Sequence, residues 1–312
     1  MKERLFSYRV LILLSFLAIY VIWGTTYLAI LIGLTGFPPF MMASIRFIIA
    51  GVILVGYSLI AGEGFPRKSS IIKNAFLGLV VLAGGQGSLF WSEQHITSGY
   101  ASVLVATLPM WFVAFDKANW KYYFSNPYIL SGLIIGFGGI VLLFHDKLNE
   151  SLSEEQLHSQ LMASVVVLFG SMCWVTGTLY NRSRSAPGSI YSNLGWQLLC
   201  GAVICFLISW MSGEFEVLDW SKAGFMAWAA VLYLSIAGSV IAFIAYTWLL
   251  KEKPSAIVGT YAYINPIVAV FLGWLAADET INFKQFVGMT IIIFSAVLIN
   301  LNRGRVIKLS SK

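Results

Sequence analysis

Residues 91–115 read WSEQHITSGYASVLVATLPMWFVAF: the end of one apolar segment, a short polar turn, and a second apolar segment with Pro109 in its middle. The same plan returns at residues 248–272, WLLKEKPSAIVGTYAYINPIVAVFL. Trp91 aligns with Trp248 and Pro109 with Pro266, both at an offset of 157 and without a gap. Self-similarity at about half the chain length points to two copies of one unit.

Composition sets the medium in which that unit folds. Of the 312 residues, 58% are hydrophobic and only 11% charged, with a mean hydropathy of +0.80. A soluble domain carries about 25% charged residues. So few charges cannot cover a water-facing surface, which implies an integral membrane protein. The net charge of +6 reads as the positive-inside bias of such a protein rather than as a nucleic-acid surface, because the basic residues sit in short loops between apolar runs. Cys173, Cys200 and Cys205 all lie within apolar runs and read as small hydrophobes, not as a disulfide or metal set.

A membrane span needs about 20 mostly apolar residues. Ten such runs are present: 10–33, 40–61, 74–92, 98–115, 128–144, 161–180, 190–211, 225–249, 255–276 and 286–301. The first follows Lys2, Arg4 and Arg9. It exceeds the apolar core of a signal peptide and lacks a small-residue cleavage site, so it counts as a span. With the N terminus inside, the inner segments hold 16 of the 20 Lys and Arg. The outer segments hold Lys147, Lys222 and Lys284, and Arg46 alone falls within a span. This split predicts an even number of spans with both termini cytoplasmic. The acidic residues lean outward, in segments 146–160, 212–222 and 278–280.

The two units are then residues 1–150 and 151–312, five spans each. Trp23-Gly24-Thr25 aligns with Trp174-Val175-Thr176, Gly51 with Gly201, and Gly132 with Gly288. An odd number of spans per unit turns the second upside down relative to the first. The loops agree: the turn after Trp91 falls outside and its counterpart Lys251-Glu252-Lys253 inside. Inverted repeats mark secondary transporters, with the site near the midplane where the repeats meet; the alternative is a duplicated scaffold that transports nothing.

The motifs in order are Trp23-Gly24-Thr25, Arg46-Phe47, the Ala-containing turn and helix ending at Pro109, Trp174, Tyr261-Ala262-Tyr263-Ile264-Asn265-Pro266, and Gly273 with Glu279. In this order and spacing, over about residues 10 to 302, the chain resembles the drug/metabolite transporter superfamily, specifically its ten-span EamA-type exporters. The resemblance implies an all-α membrane fold of ten helices around a central cavity, the fifth and tenth at the periphery. It also implies export of amino acids, other small metabolites or drug-like compounds across the cell membrane, with no cofactor. One departure is visible: the second half has Glu279 after its fourth span, where the first half has Asp116-Lys117.

Arg46 is the sharpest candidate for the substrate site. A charge at that depth is costly and marks function by default. It could anchor a substrate carboxylate, or pack helices with its guanidinium on backbone carbonyls. Glu93, near the outer end of the third span, reads as a solvated loop residue rather than a counter-ion. Pro109 and Pro266 each remove a backbone donor mid-span and are expected to bend the helix at a cavity and act as hinges. The amides Gln86, Gln197 and Asn265 and the aromatics Trp23, Trp111, Trp174, Tyr246, Tyr261 and Tyr263 lie at similar depth. They are expected to supply the few polar groups and the aromatic walls of a ligand pocket, or to tie helices and fill volume. The patches Gly84-Gly85-Gln86-Gly87 and Gly136-Phe137-Gly138-Gly139 read as close helix contacts.

An intramembrane enzyme would need a nucleophile and base, or metal ligands, at membrane depth. His95, His145 and His158 are instead far apart and near outer segments, so no catalytic or metal-binding residue is predicted. A channel would need rings of polar residues along a pore. No P-loop follows a strand pattern, which argues against ATP drive. The partners expected are a small-molecule substrate and the lipid bilayer, and no nucleic acid.

Overall fold

The structure, a computed structural model, describes residues 2–145, 153–184, 186–221, 223–276 and 282–301, with the backbone alone at 2–7, 273–276, 300 and 301. Glu279 and the loop residues Lys147, Lys222, Arg303, Arg305, Lys308 and Lys312 lie outside the described residues. Every regular element among those described is helical. In hydrocarbon, each backbone N–H and C=O must be satisfied within its own segment, and a helix does that without a partner.

Ten principal helices follow the apolar runs. They are α1 (Lys2–Leu34), α2 (Pro39–Ile60), α3 (Lys68–Ser92), α4 (Ser98–Phe115), α5 (Pro127–Leu143), α6 (Glu154–Ser183), α7 (Ile190–Met211), α8 (Phe225–Glu252), α9 (Ser255–Val258 with Tyr261–Ala276) and α10 (Phe283–Leu301). Eight of these are long and apolar enough to cross a membrane. α5 is a 17-residue helix that meets the short helix Lys117–Phe124 at 94°, and α10 is the shorter apolar helix near the end of the described chain.

Local sequence explains where the helices begin. Ser153 and Gln156 form a reciprocal capping box at the start of α6, satisfying two orphan donors. Ser189 caps α7, Thr97 caps α4, and Asn126 followed by Pro127 starts α5. α2 begins at Pro38-Pro39 with no side-chain cap of its own. Its free N–H groups are met from a distance, where the Glu214 carboxylate accepts from the backbone of Phe40 at 3.1 Å and Met41 at 2.8 Å.

Surface and interior are reversed relative to a soluble protein. Large apolar side chains stand exposed, with Ile60 at 89% and Phe225 at 83%, while Arg46 and Asn265 are each 2% exposed. Tight helix contacts use small residues, as expected where lipid supplies no hydrophobic drive between helices. α5 and α10 pack through Gly139 and Gly288: a Cβ built on Gly288 would lie 2.9 Å from the Gly139 carbonyl oxygen and 2.8 Å from the Leu143 nitrogen. The principal pairings are α2 with α7, α5 with α10, α1 with α8 and α9, α6 with α3 and α4, α3 with α7, α2 with α8, and α4 with α9.

Four of the helices are irregular. In α3 the stretch Gly78–Gly87, and in α8 the stretch Leu234–Ile241, take the wider i→i+5 turn, a rare form that is frequent at functional sites. α4 breaks at Ala106-Thr107, so Pro109 falls in the first turn of the segment that follows. α9 breaks at Gly259-Thr260, upstream of Pro266, which sits inside a continuous helix. The breaks therefore precede the prolines rather than centring on them.

Candidate functional site

The wide-turn stretch of α8 meets α1 and α2 at a buried arginine, with the end of α3 beside it. The Arg46 Nε donates to Ser239 Oγ at 2.8 Å, and its guanidinium carbon lies 5.5 Å and 5.4 Å from the ring centres of Phe47 and Phe90. The absence of a side chain at Gly238 makes room for it, since a Cβ there would lie 3.0 Å from Arg46 Nη2. The Gly238 carbonyl in turn accepts from Trp23 Nε1 at 3.1 Å. No carboxylate among the described residues lies within ion-pair distance of Arg46; the ion pair they contain is Arg182–Asp116, at 3.3 Å.

Arg46 borders a cavity of about 80 Å³ bounded by α1, α2, α3, α4, α6 and α9. Of the residues singled out from sequence, Trp23, Arg46, Gln86, Trp174, Tyr261 and Asn265 line it. The Gln86 Oε1 is buried without a hydrogen-bond partner. Asn265, in the amide orientation that satisfies its surroundings, donates to the carbonyl oxygens of Tyr261 at 2.9 Å and Tyr20 at 3.3 Å. The cavity also takes in Tyr27, Ile30, Phe90 and Ser171, which were not singled out. Tyr27 and Ile30 lie four and seven residues after Trp23, on the face that Trp23 already marked.

The other candidates lie elsewhere. Tyr246 belongs to an aromatic cluster that closes one end of the cavity. In that cluster Trp23 lies 4.6 Å from Tyr261, 5.0 Å from Tyr246 and 5.7 Å from Trp174, and Trp174 stacks on Phe243 at 5.6 Å between centroids. Trp174 Nε1 donates to the Tyr246 hydroxyl at 3.0 Å, which also bonds Thr178 at 3.2 Å. Gln197 lines a separate cavity with Thr178, Asn193 and Arg182. Trp111 is half-buried and donates to Thr107 Oγ1 at 3.0 Å. Tyr263 faces α5, where its hydroxyl donates to the Leu133 carbonyl at 2.8 Å.

Beyond the aromatic cluster a polar network joins the ends of α4, α6 and α9. Asp116 accepts from Asn119 Nδ2 at 2.9 Å, from the Tyr123 hydroxyl at 2.7 Å and from Arg182 at 3.3 Å, and Arg182 donates to Ser255 Oγ at 2.6 Å. Here the departure noted at Asp116-Lys117 has a structural use.

Glu93 corrects the sequence reading. It is not a solvated loop residue but is 4% exposed, and both carboxylate oxygens are buried without a hydrogen-bond partner. Its neighbours Ser92, Gln94 and His95 are polar, which makes the stretch look like open loop. Burial of this kind leaves no local signal in the sequence. The glycine patches serve as close contacts in part: a Cβ on Gly85 would lie 3.3 Å from Trp174 and one on Gly136 would lie 2.5 Å from Tyr263 and Ser295, while Gly85 and Gln86 also line the cavity and a Cβ on Gly138 would meet nothing within 4 Å.

Comparison with known proteins sets this geometry in a family. A protein named as the uncharacterized inner membrane transporter YedA, of Escherichia coli K12, is 32% identical over 287 residues, 92% of this chain and 89% of that one. The uncharacterized transporter YoaV of Bacillus subtilis 168 is 25% identical over 90% of this chain and 94% of its own. Protein PecM of Dickeya dadantii is 25% identical over 89% and 88%. One solved crystal structure, at 20% identity, superposes over 94% of this chain and 98% of its own with a TM-score of 0.72, which shows a shared fold. The protein is thus a multi-pass protein of the cell membrane. The family model of the EamA-like transporters matches twice, at residues 10–145 and 161–301, and the chain belongs to that family.

Proposed function

We propose that this protein is a secondary transporter that exports amino acids or related small carboxylates by alternating access. In this reading residues 1–150 and 151–312 are inverted five-span repeats, with ten spans in all and both termini cytoplasmic. The two family matches support the division. So does the packing: exchanging each helix for its counterpart five helices on turns α1–α8 into α6–α3, α1–α9 into α6–α4 and α2–α8 into α7–α3, and leaves α2–α7, α4–α9 and α5–α10 unchanged. Both wide-turn stretches fall in counterpart helices, α3 and α8.

The observation that carries the substrate class is Arg46. It is a buried guanidinium, oriented by Ser239 and bordering a cavity, with no carboxylate partner among the described residues. A guanidinium offers a planar pair of donors that matches a carboxylate. A neighbouring apolar and aromatic wall, from Ile30, Phe90 and Trp174, suits the rest of a small metabolite and also favours the second reading, a neutral or drug-like solute. In the proposed topology the cavity lies toward the outer side. The aromatic cluster and the Asp116–Arg182 network then form the cytoplasmic closure that must part for loading.

Counterflow in proteoliposomes tests this, because exchange of labelled for unlabelled solute requires a carrier cycle. Labelled neutral L-amino acids should exchange, and the corresponding decarboxylated amines should not. Exchange of amines or uncharged solutes without amino acids would transfer the protein to the second reading.

A further inference from the structure

Glu93 caps the C-terminal end of α3, one turn after Leu89 and Phe90, both of which line the cavity. Tyr27, on the cavity wall, lies within electrostatic reach of it. Its carboxyl group is enclosed, and no donor among the described residues meets either oxygen. An ionised carboxylate left bare in such a place is far costlier than the neutral acid, so the enclosed group carries a proton.

We propose that Glu93 is a proton site coupled to the cavity, protonated in the arrangement described here and ionised when water reaches it. The release step is simple: the O–H bond breaks, its electron pair stays on the carboxylate, and the proton passes to water. The coupling rests on Arg46 as the carboxylate anchor. With Glu93 neutral, the Arg46 charge is uncompensated among the described residues and draws an anionic group into the cavity. With Glu93 ionised, a negative charge one turn from the cavity-lining Leu89 and Phe90 repels that anionic group and the draw weakens. Proton and substrate carboxylate therefore bind together and move in the same direction, and the export direction draws on the substrate gradient. The titratable and charged groups on the elements beside this end of α3 are Tyr27 of α1, Arg46 of α2, Tyr100 of α4 and, on the exposed first turns of α6, Glu154, Glu155 and His158, with His95 on the turn after Glu93.

The test is infrared spectroscopy of the full-length protein in lipid nanodiscs, titrated with pH, beside binding of a labelled equimolar mixture of neutral L-amino acids. At neutral pH the wild type should show the carbonyl band of a protonated carboxyl, and Glu93→Gln should lack it. Should Glu93→Gln not fold, Glu93→Asp assigns the band by shifting its frequency. Wild-type affinity should fall about tenfold as the band titrates away, while Glu93→Gln, a mimic of the protonated form, should bind tightly at every pH. Absence of the band from the wild type at neutral pH overturns the proposal, as does affinity that ignores its titration. If the mixture does not bind at all, the carboxylate reading of the cavity fails and takes the coupling with it. The band then still decides whether Glu93 holds a proton.

Discussion

At the scale of single residues, Arg46 shows how a membrane protein keeps a charge indoors. Insertion scales put the cost at about 2.5–3.5 kcal/mol. One hydrogen bond to Ser239 and two aromatic faces, from Phe47 and Phe90, offset part of it, with each cation–π contact worth about 0.5–2 kcal/mol. If the rest is reserved for substrate, Arg46→Lys should keep the charge and the fold but weaken substrate binding, and Arg46→Gln should weaken it further. Gly238→Ala should act on the same group from outside, since the added methyl would press on Nη2; a loss of about tenfold, or about 1.4 kcal/mol, is expected. Binding to purified protein, normalised to the folded fraction, reads all three. Unchanged affinity in the two Arg46 variants would remove it from the site. Depth in the membrane is what sequence makes legible at this scale, and the direction a side chain faces is what it leaves hidden. Tyr261 and Tyr263 share a depth, yet two residues turn a helix by about 200°. One borders the cavity and the other packs against α5. Gln86 and Gln197 are separated in the same way, by which neighbours their helices acquire.

At the scale of helices, each of the ten apolar runs falls on a helix, and eight of those helices are long and apolar enough to cross a membrane, where there are few alternatives to a helix. Their irregularities were partly legible. Pro109 and Pro266 announced trouble in α4 and α9, and the structure puts each break a few residues earlier, where Met110 N bonds Thr107 O at 2.9 Å and Ala262 N bonds Gly259 O at 3.1 Å in tight turns. The wide turns of α3 and α8 left only a density of glycine and serine, since one extra residue per turn does not disturb a run that is apolar on every side. Pro109 deprives the Val105 carbonyl of its helical donor, and Val105 lines the cavity. We expect Pro109→Ala and Pro266→Ala each to slow amino-acid exchange severalfold while leaving near-normal amounts of protein in the membrane. Full exchange in both variants would reduce the breaks to packing detail and end the hinge idea.

At the scale of the whole molecule, the inversion of the two halves turns on whether α5 crosses the bilayer. Its 17 residues span about 26 Å, slightly less than a hydrocarbon core of about 30 Å, and it starts at a sharp angle to the helix before it. Ser69, on the first turn of α3, and Glu155, on the first turn of α6, are both exposed and flank α3, α4 and α5. If all three helices cross, the two positions lie on opposite sides; if α5 only dips in, they lie on the same side. Cysteines placed at these positions, in a chain whose Cys173, Cys200 and Cys205 have been replaced, separate the cases with an impermeant thiol reagent added to intact cells. Glu155→Cys should label and Ser69→Cys should label only after the membrane is opened. Labelling of both, or of neither, would make the number of crossings in the first half even and remove the inversion. Labelling of Ser69→Cys alone would keep the inversion but turn the protein over, so that the cavity beside Arg46 faced the cytosol and the Asp116–Arg182 network closed the outer side.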